Sequence, residues 1–309
     1  MQSSKIDELR KKIDSDPSNF QARRELIGLL LDNGYNVEAL KHLNYLTELF
    51  PKDGRLFYNT AIVWERLKFP QKAVEAYKKA IAADPNQTDF LYNLANLYTE
   101  QGEFTSAVTL LKKVLKIEPK DANAYFNLGY IYEKKEMHEA AIKCYINTVV
   151  LCPEDVVARF RLAIEYKKNN QVQESIKELE KVIELSDSYS WAYFNLAAIY
   201  NELGDTQKAI HYLEKTIETN PNDVEAVKLV SKLYMKEDNF KKAESLLKKA
   251  LMNNKNGDLY YYLALLYKKT KNIENYAKYL RIAISNFKTL SVHPKILKEK
   301  LNALEENSL

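Results

Sequence analysis

The chain has 309 residues, a net charge of +4, 46% hydrophobic residues and 28% charged ones, a balance that suits a soluble packed protein. Lysine and glutamate are interspersed throughout, which argues against a dedicated nucleic-acid binder, where basic residues crowd one face. Seven glycines and eight prolines leave little room for turn-rich β architecture, and the two cysteines, Cys144 and Cys152, make no disulfide framework and fit a reducing, cytoplasmic compartment.

The amino terminus, MQSSKIDELRKK, lacks the apolar core of a signal peptide. Residues 5–14 place Ile6, Leu9 and Ile13 on one helical face ahead of Pro17, like an orphan second helix. From there the prolines form a ruler: Pro17, Pro51, Pro85, Pro119 and Pro153 are 34 residues apart, Asp187 takes the next mark, and Pro221 resumes the series. A fixed period of this size means a stack of like supersecondary units. Proline lacks an N–H and disfavours helix in the residue before it, so it recurs where a helix must stop.

With the ruler proline as position 32, the units run 20–53, 54–87, 88–121, 122–155, 156–189 and 190–223, then 224–256 and 257–290. Position 11 is aromatic in nearly all of them (Trp64, Tyr98, Tyr132, Tyr166, Tyr200, Tyr234, Tyr267), and position 7 is mostly leucine. Positions 8 and 20 are small, as in Ala61, Gly129, Ala73 and Ala141. Positions 4, 7, 8 and 11 make one helical stripe, and positions 20, 24 and 27 make a second. Between them, position 15 carries Gly34, Gly102 and Gly204 or a polar residue, where the left-handed conformation closes a helix. Each unit therefore reads as a helix hairpin whose apolar faces are covered only by its neighbours.

On these positions the sequence resembles the tetratricopeptide repeat family over residues 20 to about 290. The best unit matches the family pattern at Tyr125, Leu128, Gly129, Tyr132, Ala141, Tyr145 and Pro153. The resemblance implies an all-α, right-handed superhelical α-solenoid of about eight helix hairpins, closed by terminal capping helices at 1–19 and 291–309. The carboxy-terminal cap would use Leu297, Leu301 and Leu304, since an array needs covered ends. In the last hairpin Tyr276 falls where a small residue is expected, and Ala277 beside it would serve instead if the turn is longer.

No catalytic constellation appears, and no cofactor or metal is expected. His42, His138, His211 and His293 lie in different units, and two thiols alone make an incomplete metal site. No stretch approaches the ~20 apolar residues of a membrane span. A pentatricopeptide reading, with RNA as ligand, fails on the aromatic, alanine and proline positions and on the lack of a strongly basic groove.

The resemblance implies a groove along the first helices, lined chiefly by positions 2, 5, 6, 9, 12 and 13. Position 6 reads Asn59, Asn93, Asn127, Arg161 and Asn195, a ladder of side chains most of which can both donate and accept hydrogen bonds to an extended peptide. Similar asparagine ladders occur in the superhelical domain of O-linked N-acetylglucosamine transferases; asparagine is also simply common at this position of the repeat. Position 5 reads Tyr58, Tyr92, Phe126, Phe160 and Phe194, which either wall the groove or pack helix on helix. The resemblance also brings the two-carboxylate clamp of chaperone-tail-binding members. Asn96, Asn127 and Arg161 occupy three of its five places, but Tyr92 and Val157 replace both lysines, so acidic chaperone tails are not the expected ligand.

Units five to eight add an excess of cations, including Lys228, Lys232, Lys236, Lys268 and Lys269, at groove positions, where units two to four are nearly balanced. That half is expected to prefer an acidic segment or a free carboxylate. The expected function is thus a non-catalytic scaffold or adaptor that holds a protein or peptide segment, with no nucleic acid and no membrane. Its alternative is a regulatory or targeting segment of a larger enzyme such as a glycosyltransferase. Self-association through the caps or the opposite face stays open.

Overall fold

The structure is a computed structural model, which describes residues 2–306. It divides into two compact units, Met1–Pro153 and Glu154–Leu309. In the first, α1 (Gln2–Ser15) precedes four helix hairpins: α2 (Phe20–Asp32) with α3 (Asn36–Leu49), α4 (Gly54–Arg66) with α5 (Pro70–Ala83), α6 (Thr88–Glu100) with α7 (Phe104–Ile117), and α8 (Ala122–Lys134) with α9 (His138–Leu151). In the second, the hairpins are α10 (Val156–Lys168) with α11 (Val172–Leu185), α12 (Ser190–Glu202) with α13 (Thr206–Thr219), α14 (Val224–Lys236) with α15 (Phe240–Asn253), and α16 (Gly257–Lys269) with α17 (Ile273–Ser285). A single turn, Phe287–Thr289, and α18 (Pro294–Glu306) follow. Each unit is an all-α solenoid segment of four stacked hairpins, and no strand occurs among the described residues.

The 34-residue ruler is a packing rule. At position 20, Ala39, Ala73, Ala107, Ala141, Ser175, Ala209 and Ala243 are all 0% exposed, which lets the second helix approach its neighbours closely. Position 24 supplies the bulk that fills the seam, as Tyr77, Leu111, Tyr145, Leu179 and Leu247, each wholly buried. Tyr276 breaks the small-residue rule at position 20 and is itself buried, while Ala277 beside it is half-buried. The tyrosine, not its small neighbour, takes the core-facing place. At the ends, α1 lays Ile6, Leu9 and Ile13 against α2, and α18 packs on α17 through the wholly buried Leu297, with Leu301 and Leu304 half-buried. The expected terminal segments 1–19 and 291–309 also include residue 1 and residues 307–309, which lie outside the described residues.

The turns follow the same period. Two residues after the ruler proline, Asp121, Asp155 and Asp223 each accept the backbone N–H of Ala124, Ala158 and Ala226 at 2.9, 2.9 and 3.0 Å, capping the next first helix. Inside every hairpin one residue is left-handed: Gly34, Lys68, Gly102, Glu136, Asn170, Gly204, Asp238 and Lys271 have φ between 55° and 83°. The N–H of the residue after it reaches back to close the first helix, as Met137 does to the Tyr132 carbonyl at 2.9 Å. A side chain in this conformation costs about 1–2 kcal/mol that glycine avoids. Glu136→Gly should therefore raise stability by about 1 kcal/mol in urea unfolding, after part of the gain is offset by the extra freedom of glycine in the unfolded chain.

Candidate binding groove along the first helices

In the first unit, the first helices are stitched to one another by the ladder itself. Asn93 on α6 donates its Nδ2 to the Tyr58 hydroxyl on α4 at 2.9 Å and to the Asp89 carbonyl at 2.8 Å. One hairpin on, Asn127 on α8 donates to the Tyr92 hydroxyl and to Asn96 Oδ1 on α6, both at 2.8 Å. Burial pushes both tyrosine hydroxyls above their ordinary pKa, so each stays protonated and keeps its own proton to donate. Asn59 lies half-buried on α4, one residue from Tyr58.

The position-5 rings are half-buried and spend much of their surface on packing. Tyr58 stacks on Phe90 with centroids 4.9 Å apart, and Phe126 meets Tyr145 at 5.7 Å. In the second unit Phe160 meets Tyr189 at 5.2 Å and Phe194 lies 6.5 Å from Trp191. The Tyr58 and Phe160 contacts join one hairpin to the next, Phe126 packs within its own hairpin and Phe194 along its own helix, and in the first unit the hydroxyls of Tyr58 and Tyr92 meet the asparagines.

Of the expected ladder, Asn59, Asn93 and Asn127 belong to the first unit, with the clamp residue Asn96 beside them, and Arg161 and Asn195 to the second. Arg161 is half-buried on α10. Asn195 donates Nδ2 to the Trp191 carbonyl at 2.7 Å within its own helix, so it stitches nothing.

Lys228 departs from the expectation of a ligand-facing cation. It is 8% exposed, and its Nζ bonds Asp258 Oδ2 on α16 at 2.8 Å and Glu225 at 2.6 Å. The other oxygen of Asp258, itself 6% exposed, accepts the Ser291 N–H and hydroxyl at 2.7 and 2.8 Å. Gly257 N–H donates to Thr289 Oγ1 at 2.7 Å beside it. Burial works against both charges. The contacts with Asp258 and Glu225 outweigh it and raise the lysine, and those with Lys228 and Ser291 outweigh it and lower the aspartate below the ordinary carboxylate range. The pair ties α14, α16 and the segment before α18 together. An isolated buried ion would be untenable, and this one is satisfied inside the fold rather than by a ligand.

Lys232 is exposed and stands at a hollow of about 520 Å³ between α12 and α14, together with Lys236. Three groove residues went unread in the sequence: Trp191 at position 2, 63% exposed, and Ala198 and Leu229, which line the hollow. The available signal was the end of the asparagine run, since Leu229 stands at position 6 where Asn93 and Asn127 stand earlier. Cys144 is buried, which pushes its thiol up to about 11, whereas Cys152 is exposed. Among the described residues, no three His, Cys, Asp or Glu side chains are placed to hold a metal ion, and no helix is long and apolar enough to cross a membrane.

The comparisons with known proteins agree with this architecture. A family model described as the C-terminal ARM domain of tetratricopeptide repeat protein 21 matches residues 3–191, and a tetratricopeptide repeat model matches residues 190–223. No curated protein sequence matches the chain. Among solved structures, MamA is 25% identical over 53% of this chain and 96% of its own, with a TM-score of 0.51. YrrB, described as a tetratricopeptide repeat protein with an unusual peptide-binding site, is 21% identical over 60% of this chain and 95% of its own, at 0.54. The C-terminal part of a repeat-containing protein from Cytophaga hutchinsonii covers 86% of this chain and 96% of its own, at 15% identity and a TM-score of 0.61. With a family model over more than half of its length, and hairpins that repeat the pattern from α2 to α17, the chain belongs to the tetratricopeptide repeat family.

Proposed function

We propose that this chain is a non-catalytic scaffold that holds an extended segment of a partner protein along its first helices. The observation that carries the reading is the stitched ladder of the first unit. With their amide nitrogens engaged, Asn93 and Asn127 keep their Oδ1 atoms as acceptors for a ligand's N–H groups. Tyr58 and Tyr92 accept from those asparagines and can donate to a ligand's carbonyls. Neighbouring helices pack ~8–10 Å apart, and one three-residue turn of a polyproline II chain at ~3.1 Å per residue spans that interval with the same edge turned to the helices. Donor and acceptor thus recur at a spacing that a peptide backbone can follow. Similarity of fold to YrrB, a protein described as having a peptide-binding site, supports the same reading.

The test is a peptide selected against the full chain from a displayed library, titrated by fluorescence anisotropy. The Asn93→Ala and Asn127→Ala double variant removes two hydrogen-bonding groups worth ~0.5–1.5 kcal/mol each, so affinity should fall about 5- to 150-fold. Equal affinity, in a variant of unchanged helical circular dichroism, would rule out the ladder as the binding element.

A further inference from the structure

The groove of the second unit is built differently from that of the first. The hollow between α12 and α14 reaches past the first helices to Leu213 of α13, and Ala197, Ala198, Leu229 and Leu233 complete its apolar floor. On the other side of α14 a second hollow, also of about 520 Å³, opens over Met235 and Leu265 and is bordered by Lys268 and Lys269. Lys232 and Lys236, one helical turn apart on α14, belong to both and stand as the wall between them.

The nearby anions do not answer these two lysines. Glu202, at the first hollow, pairs with Lys167 at 2.9 Å. Asp238 takes Lys269 at 3.2 Å, and Lys269 also donates to the Met235 carbonyl. Glu225 and Asp258 are engaged by Lys228. Lys232 and Lys236 are both exposed, and their alkyl stems can line apolar hollows while the ammonium groups stay above them.

We propose that this pair of hollows takes an acidic segment of a partner protein in which two bulky apolar residues bracket two carboxylates. The proposal rests on the reading of the first-helix face as a binding groove and names the ligand of its second half. Each hollow receives one apolar side chain, and the carboxylates between them meet Lys232 and Lys236. The hollows lie on either side of one helix, ~8–10 Å apart by helix packing, which one three-residue turn of a polyproline II chain at ~3.1 Å per residue covers with its first and last side chains on the same face. The pattern is therefore apolar–acidic–acidic–apolar. A nucleic-acid backbone would satisfy the lysines but leave both apolar floors unused, so the protein segment is favoured.

The probe is a short fluorescein-labelled peptide with a Leu-Glu-Glu-Phe core in Gly-Ser flanks, titrated into the full chain by anisotropy. Two control cores are Leu-Lys-Lys-Phe and Ala-Glu-Glu-Ala. The first peptide should bind about tenfold or more tightly than either control and lose affinity as salt is raised. Lys232→Glu with Lys236→Glu should weaken it by about tenfold or more, and Leu229→Asn should do so without changing the net charge. Equal binding of a control core, unchanged binding to the lysine double variant, or displacement by an unstructured oligonucleotide as readily as by unlabelled peptide would overturn the proposal. If library-selected peptides bind through Asn93 and Asn127 while the Leu-Glu-Glu-Phe peptide does not, this inference fails and the scaffold reading stands. If no selected peptide binds either, both fall.

Discussion

Replacing Asp258 by alanine should destabilise the last hairpin by about 3–5 kcal/mol, the usual cost of leaving one member of a buried ion pair without its partner. Lys228 would be left 8% exposed with only Glu225 to balance it, and the Ser291 N–H and hydroxyl would lose their acceptor. In an array each hairpin leans on its neighbours alone, so the loss should concentrate at the carboxy-terminal end. Hydrogen exchange should show α16 to α18 losing protection first, with α2 to α9 little changed. Replacing both Lys228 and Asp258 by leucine should recover much of the loss, because the desolvation cost disappears with the charges. Loss spread evenly over all helices would contradict the local account.

The same pair sets a pH dependence. Asp258 is lowered in the folded state, so its contribution is fully present above the unfolded value of ~3.9 and is lost as pH falls through the folded one. Lys228 is raised, so its contribution is present below its unfolded value of ~10.4 and is lost as pH rises through the folded one. Wild type should therefore weaken at its carboxy-terminal end in acid, and the double leucine variant should not show that component.

The second large effect lies at Tyr145. Its ring is wholly buried, meets Phe126 at 5.7 Å, and its hydroxyl donates to Glu133 at 2.8 Å. Tyr145→Ala removes the ring and should cost about 3–5 kcal/mol in urea unfolding. Gly129 gives this site a sharper signature. A Cβ on Gly129 would lie 2.7 Å from Tyr145 Cε1, a contact that forces the ring to move. Gly129→Ala in wild type should thus lose about 1–3 kcal/mol to overpacking, against a gain in helix propensity of about 1 kcal/mol. On the Tyr145→Ala background the clash is gone, and the same substitution should stabilise by about 1 kcal/mol. A change of sign between backgrounds is the expected result, and two equal effects would show that the ring does not set the space at Gly129.

Much of the fold was legible because it is periodic. Position 20 alone told where the second helix must come close, since only a small side chain fits there, and the prolines told where each hairpin ends. Tyr276 and Ala277 could not be told apart by the same rule. The turn keeps its usual length, with Lys271 left-handed as in the other hairpins, so Tyr276 stays in register, and a residue's size does not reveal which of two neighbours faces the core when the packing around it differs.

The candidate site was legible only as a face, not as a set of partners. Asn93 and Tyr58 stand 35 residues apart, as do Asn127 and Tyr92, so their hydrogen bonds depend on how one hairpin is set on the next. Lys228 was read as a groove cation because position 5 borders the groove. Its fate is decided by Asp258, 30 residues on, and by Ser291 behind it, contacts that no local pattern encodes. Leu229 carried a readable signal, a leucine in a row of asparagines, but its meaning came only with the hollow that it floors.

The stitches of the ladder also bear on how such a chain can change its length. Both join residues 35 positions apart, on a ruler of 34. Excising residues 88–121 as a block would bring Asn127 to the place of Asn93 and set it against Tyr58 at the old separation. Whole-period gains and losses therefore leave the hydrogen-bonded seam intact, while a single residue inserted at the start of α6 turns Asn93 about 100° away from Tyr58. A row stitched on the repeat's own period keeps every partner when whole hairpins are added or removed.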